Sequence, residues 1–97
     1  MATFVVLINW TDQGVRTFRE TLDREQAFRD LIERLGGSLK DAYWTIGPYD
    51  IVAILEAPDD ETMTAVALQA GSLGNIRTTT LRGFGRDEMA RIIEKAG

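Results

Sequence analysis

Ninety-seven residues, 44% hydrophobic and 27% charged, have the length and composition of one soluble domain that can bury its own core without crosslinks. The chain has no cysteine, which removes disulfides and thiolate chemistry, and no histidine, which removes the imidazole base and the commonest metal ligand. A net charge of −4 argues against nucleic acid as a partner, and no metal or cofactor is expected.

In chain order, Phe4-Val5-Val6-Leu7-Ile8 is a short β-branched run, apolar on both parities, which predicts a strand buried on both faces. No basic region precedes it, and it is too short to span a membrane, so a cytoplasmic location is expected. Thr11 or Asp12 can cap a short helix through Arg16, weakened by Gly14. From Asp23, Ala27, Phe28, Leu31, Ile32 and Leu35 recur at helical spacing, and Gly36-Gly37 ends the helix. Ser38 to Ile46 alternates, with Lys40, Ala42, Trp44 and Ile46 on one side and Leu39, Asp41, Tyr43 and Thr45 on the other.

Gly47-Pro48-Tyr49-Asp50 is a turn that closes a hairpin onto a second apolar strand, Ile51 to Ala57. An Asp cap and first-turn acids at Asp59-Asp60-Glu61 open a helix carrying Met63, Val66, Ala67 and Ala70 on one face. Asn75 to Arg82 reads as a fourth strand, broken at Gly83-Phe84-Gly85. Asp87 then caps a last helix with Met89, Ile92, Ile93 and Ala96 as its stripe.

The order β-α-β-β-α-β plus a helix predicts an α+β ferredoxin-like domain over residues 1–97. Its sheet is four-stranded and antiparallel, with the two continuous apolar strands in the middle. Helices cover one sheet face. The other is apolar as well, since Phe4, Val6 and Ile8 oppose Val5 and Leu7, and Val52 and Ile54 oppose Ile51, Ala53 and Leu55. It is too apolar for a monomer to leave wet. The expectation is a homodimer or higher even oligomer packed sheet to sheet, of the dimeric α/β-barrel type, with the last helix at the rim.

Gly47-x-Tyr49-Asp50 followed by Glu56-Ala57-Pro58-Asp59-Asp60-Glu61 resembles the GYD-domain family, as do Asn9-Trp10-Thr11-Asp12-Gln13-Gly14, Tyr43-Trp44-Thr45-Ile46-Gly47 and Gly71-Ser72-Leu73-Gly74-Asn75-Ile76-Arg77-Thr78. The resemblance covers roughly the first 84 residues and leaves the last helix outside. It implies a small bacterial or archaeal protein with a ferredoxin-like, dimeric-barrel fold, and it carries over no catalytic residue.

The candidate ligand-binding residues are Trp10, Trp44, Tyr49, Asp50, Glu56 and Arg77. Tyr49 and Asp50 offer a phenol and a carboxylate at a strand mouth, or simply satisfy a turn. Trp10, Tyr43 and Trp44 can line a pocket for a planar ligand or anchor a core, and Tyr43 and Trp44 face opposite ways. Glu56 ends the Val52-Ile54 face. Arg77 and Arg82, of opposite parity, can each pair with an acid or stay solvated. Three functions remain: an oligomeric module binding a small apolar or aromatic molecule in the barrel; a cofactor-independent oxygenase or isomerase using Tyr49, Asp50 and the aromatics; and a purely structural domain.

Overall fold

Strand β1 (Ala2–Trp10) lies between β3 (Ile51–Ala57) and β4 (Ile76–Gly83), and β2 (Ser38–Trp44) flanks β3, giving the antiparallel order β2-β3-β1-β4 in the computed structural model, which describes residues 1–97. The two apolar strands are therefore central. The helices are α1 (Asp12–Arg16), α2 (Thr21–Arg34), α3 (Asp60–Ser72) and α4 (Arg86–Ala96), with a 3₁₀ turn at Phe18–Glu20 in the stretch whose sequence carries no clear period.

Register assigns the faces. Phe4 pairs with Leu55 and Val6 with Ala53 on one side; Val5 pairs with Ile54 and Leu7 with Val52 on the other. The first set is covered by α2 and α3 and forms the core with Ile32, Leu39, Met63 and Val66; Val6 and Leu55 have no exposed surface. The second set is only partly buried, and its flanks, Leu81 on β4 and Tyr43 on β2, are 47% and 57% exposed. One face of the sheet is a finished core and the other is open.

Two local expectations are corrected. Leu39 does not share a face with Asp41 and Tyr43: a bulge between Leu39 and Asp41 inserts one residue, so Leu39 faces Leu55 in the core on the same side as Ala42 and Trp44. Strict alternation fails there because a bulge resets the period of two. The displaced Lys40 reaches the Glu56 carboxylate at 3.0 Å. The last helix is capped at Gly85, not at Asp87, which lies in the first turn. Glu88 reaches back to accept from the Gly85 N–H, the reciprocal half of a capping box.

Elsewhere the chemistry read from sequence is in place. Thr11 Oγ1 accepts from the Gly14 N–H at 3.0 Å, and Asp59 Oδ1 accepts from the Thr62 N–H at 2.8 Å. Gly36 follows α2 at φ 92°, the left-handed conformation that ends a helix cheaply only at glycine. Helix α4 makes sparse contact with the rest of the chain, and Met89 and Ile93 on its stripe stay exposed. The molecule measures 50 × 30 × 18 Å.

Candidate functional site

An apolar concavity lies on the helix-covered side of the sheet. It is a pocket of about 300 Å³ between α2, α3 and the strand ends nearest Trp10. Its floor is Ile8, Ala42, Ile51, Ala53 and Ile76, and its walls are Phe28 and Leu31 from α2, Ala70 from α3 and Leu73 just after it. The cause of the void is visible in the register. Ala42 sits opposite Ala53, two one-carbon side chains on adjacent strands, where larger residues would fill the space under the helices. Farther along the same face Leu39 pairs with Leu55, and there the core is closed.

Two tryptophans border the pocket, and they differ. Trp44 is 40% exposed, and its Nε1–H donates to Thr21 Oγ1 at 2.9 Å, which ties β2 to the first turn of α2. The Trp10 Nε1–H is buried and has no hydrogen-bond partner. Buried indole N–H groups ordinarily find an acceptor, so this one is an exception with an energetic cost. Arg24 lines the pocket but is committed elsewhere: it donates to the Gly14 carbonyl at 3.0 Å and the Thr17 carbonyl at 2.9 Å.

The six candidate residues are not brought together. Trp10 and Trp44 line the pocket; Tyr49, Asp50, Glu56 and Arg77 do not. Asp50 sits in the turn before β3, where its Oδ2 accepts the Trp10 main-chain N–H at 2.9 Å. The Tyr49 carbonyl accepts from Thr45 Oγ1 at 2.6 Å. Glu56 is on the open sheet face, paired with Lys40. Arg77 is exposed and forms no ion pair, whereas Arg82 pairs with Glu88 at 3.2 Å and lies over the Phe84 ring at 4.6 Å.

The residues that shape the pocket without standing out in the sequence are the alanines. Ala42, Ala53 and Ala70 read as ordinary apolar filler. Their signal is small size at inward positions, and it becomes legible only once the strand register shows which positions of β2 face inward.

Two carboxylates are held below their ordinary values, both at helix starts. Asp59 is lowered by the backbone N–H and the hydroxyl of Thr62, and Glu88 by the Gly85 N–H and then by Arg82. Both are capping groups outside the pocket.

Comparison with known proteins gives a consistent picture. The GYD domain model matches residues 4–93. That span runs through most of α4, so the family pattern extends beyond residue 84 into the last helix. A relative from Thermus thermophilus, "Glutamine synthetase and cystathionine beta-lyase binding protein", is 35% identical over 85 residues, covering 87% of this chain and 90% of that protein. The crystal structure of TTHA0845, also from Thermus thermophilus, superposes with a TM-score of 0.56 at 32% identity, covering 88% of this chain and 95% of the other. MtbAldR superposes with a TM-score of 0.63 at 15% identity over 88% of this chain and 52% of its own, a likeness of fold.

Proposed function

The chain belongs to the GYD-domain family, and we propose that it works as a non-catalytic interaction module that pairs with a second copy through the open sheet face and presents the assembled surface to a protein partner. The observation that carries this reading is the uncovered apolar face itself. Val5, Leu7, Val52 and Ile54 lie side by side on the two central strands, flanked by Leu81 and Tyr43, and no element of the chain closes over them. Contiguous apolar surface of this kind drives association at roughly 25 cal/mol per Å² buried. A two-fold pairing of this face is self-complementary, since an apolar centre meets an apolar centre.

The name of the Thermus relative supports an enzyme as the protein partner, because that protein matches this chain along nearly its whole length. The α2–α3 pocket is where the same reading puts a small apolar or aromatic ligand. Against the rival of an enzyme stands the engagement of Asp50, whose carboxylate is taken up by a main-chain N–H.

Ile54→Lys tests the pairing by setting a charge in the middle of the face. At about 10 µM, wild type should sediment as an even oligomer and the variant as a folded monomer; a monomeric wild type overturns the proposal. Purified glutamine synthetase and cystathionine β-lyase serve as probes for the enzyme partner. Co-sedimentation of wild type with either supports that part of the reading, and none with both overturns it.

A further inference from the structure

We infer that the α2–α3 pocket is a site for a compact aromatic molecule bearing one hydrogen-bond acceptor of the carbonyl kind, and that the indole N–H of Trp10 is the donor that selects it. The inference rests on the ligand-binding part of the proposed function and is independent of sheet pairing, because pocket and open face lie on opposite sides of the sheet.

Size comes first. A dry apolar cavity of ~150 Å³ accommodates a single benzene ring, so twice that volume suits a two-ring aromatic. The present pocket, about 300 Å³ and walled chiefly by Phe28, Leu31, Ile51 and Ile76, has that capacity and that polarity.

Chemistry comes second. Trp10 borders the pocket and its Nε1–H is buried and unpartnered, whereas the other indole N–H, that of Trp44, already has Thr21. An unpaired buried donor is costly, so a ligand that brings an acceptor removes that cost in addition to burying apolar area, and one without an acceptor leaves it standing. On this inference, ligand binding includes a turn of the Trp10 ring that brings its covered N–H to the void. Trp10 is held for this from behind: its own main-chain N–H is fixed by Asp50, and its register partner on β4 is Ile76.

The experiment compares 2-acetylnaphthalene with 2-ethylnaphthalene, near-isosteres that differ in the carbonyl, against the full chain. Binding is followed by the two indole N–H resonances in a ¹H–¹⁵N spectrum. The ketone should bind about 10-fold more tightly than the hydrocarbon and move the Trp10 resonance downfield while barely moving that of Trp44. Trp10→Phe, which keeps the apolar ring and deletes the donor, should erase the ketone's advantage and leave the hydrocarbon's affinity within about 2-fold. Should that variant fail to fold, Ala70→Leu, which narrows the pocket from α3 with Trp10 intact, must weaken both probes. Equal affinity of the two probes for wild type overturns Trp10 as the selecting donor while leaving an apolar pocket in place. Binding of neither below ~1 mM overturns the pocket as a ligand site altogether. The monomeric Ile54→Lys variant should bind the ketone as wild type does, which separates failure here from failure of sheet pairing.

Discussion

The Asp50 carboxylate accepts the main-chain N–H of Trp10 at 2.9 Å, across 40 positions of sequence. Beside it the Asp50 N–H donates to the Ile8 carbonyl at 2.9 Å, and Asn9 Nδ2 donates to the Pro48 carbonyl at 2.8 Å. The ladder between β1 and β3 ends at Ile8 and Ile51, so the last residues of β1 have no strand backbone on that side. Asp50 supplies the acceptor that the Trp10 main chain lacks there, and the Pro48 carbonyl holds the Asn9 side chain. The Gly-x-Tyr-Asp turn thereby sets the end of β1, and with it the ring of Trp10.

Asp50→Ala should leave the Trp10 N–H without its acceptor and lower stability by about 1–3 kcal/mol, read as a lower urea midpoint with unchanged slope. Asp50→Asn retains a side-chain carbonyl and should lose less than half as much. Equal losses in the two variants would show that the carboxylate charge, not the acceptor, is what matters.

Gly14 explains why two motifs far apart in sequence go together. A Cβ at Gly14 would meet the Asn75 carbonyl oxygen at a distance no side chain can occupy. That contact is one of several joining Asn9-Trp10-Thr11-Asp12-Gln13-Gly14 to Gly71-Ser72-Leu73-Gly74-Asn75. The Thr11 N–H donates to the Asn75 carbonyl at 3.1 Å, Thr11 Oγ1 to the Gly74 carbonyl at 2.6 Å, and Gln13 Nε2 to the Leu73 carbonyl at 3.0 Å. Gly14→Ala improves helix propensity by about 1 kcal/mol, yet the clash is with backbone and cannot be relieved by a rotamer. The expected result is a net destabilisation of about 2 kcal/mol or more, measured by urea unfolding; a stabilised variant would mean that α1 can lift away from the start of β4.

These contacts mark how far the sequence could be read. Strand order, helix faces and the apolar second face followed from periodicity, because each needs only the parity of Val5 against Val6 or the spacing of Met63 and Val66. The pocket did not follow. Its volume comes from Ala42 meeting Ala53, and that meeting depends on the hairpin register, which alternation alone does not reveal. Among the candidate residues, polar type at a turn was ambiguous in the sequence, and the structure resolves Asp50 into a long-range tie. Tryptophan at strand ends was ambiguous too. Register puts Trp10 and Trp44 on the helix face, away from Tyr43, Glu56 and Arg77.

The pH response of α4 follows from Glu88. Its carboxylate is held below the ordinary value of 4.5, first by the Gly85 N–H and then by Arg82, so it binds the folded helix start more favourably when ionised. A group with a depressed folded value contributes stability that is fully present above its unfolded value and is lost as pH falls through the folded one. The cap is therefore intact near neutrality, begins to weaken below about pH 4.5, and is gone once the pH passes the lowered value. Because α4 has sparse contact with the body, it has few other interactions to hold it, so its loss is local. Carbon secondary shifts of residues 86–96 should report full helicity at pH 7 and partial loss on acidification to pH ~3, while β1 and β3 stay native. Glu88→Gln retains a carbonyl acceptor but titrates nowhere in this range. It should start with a less helical α4 at pH 7 and show a flat profile below it. If the Gln variant and wild type lose helicity together at every pH, the cap is not the group that titrates.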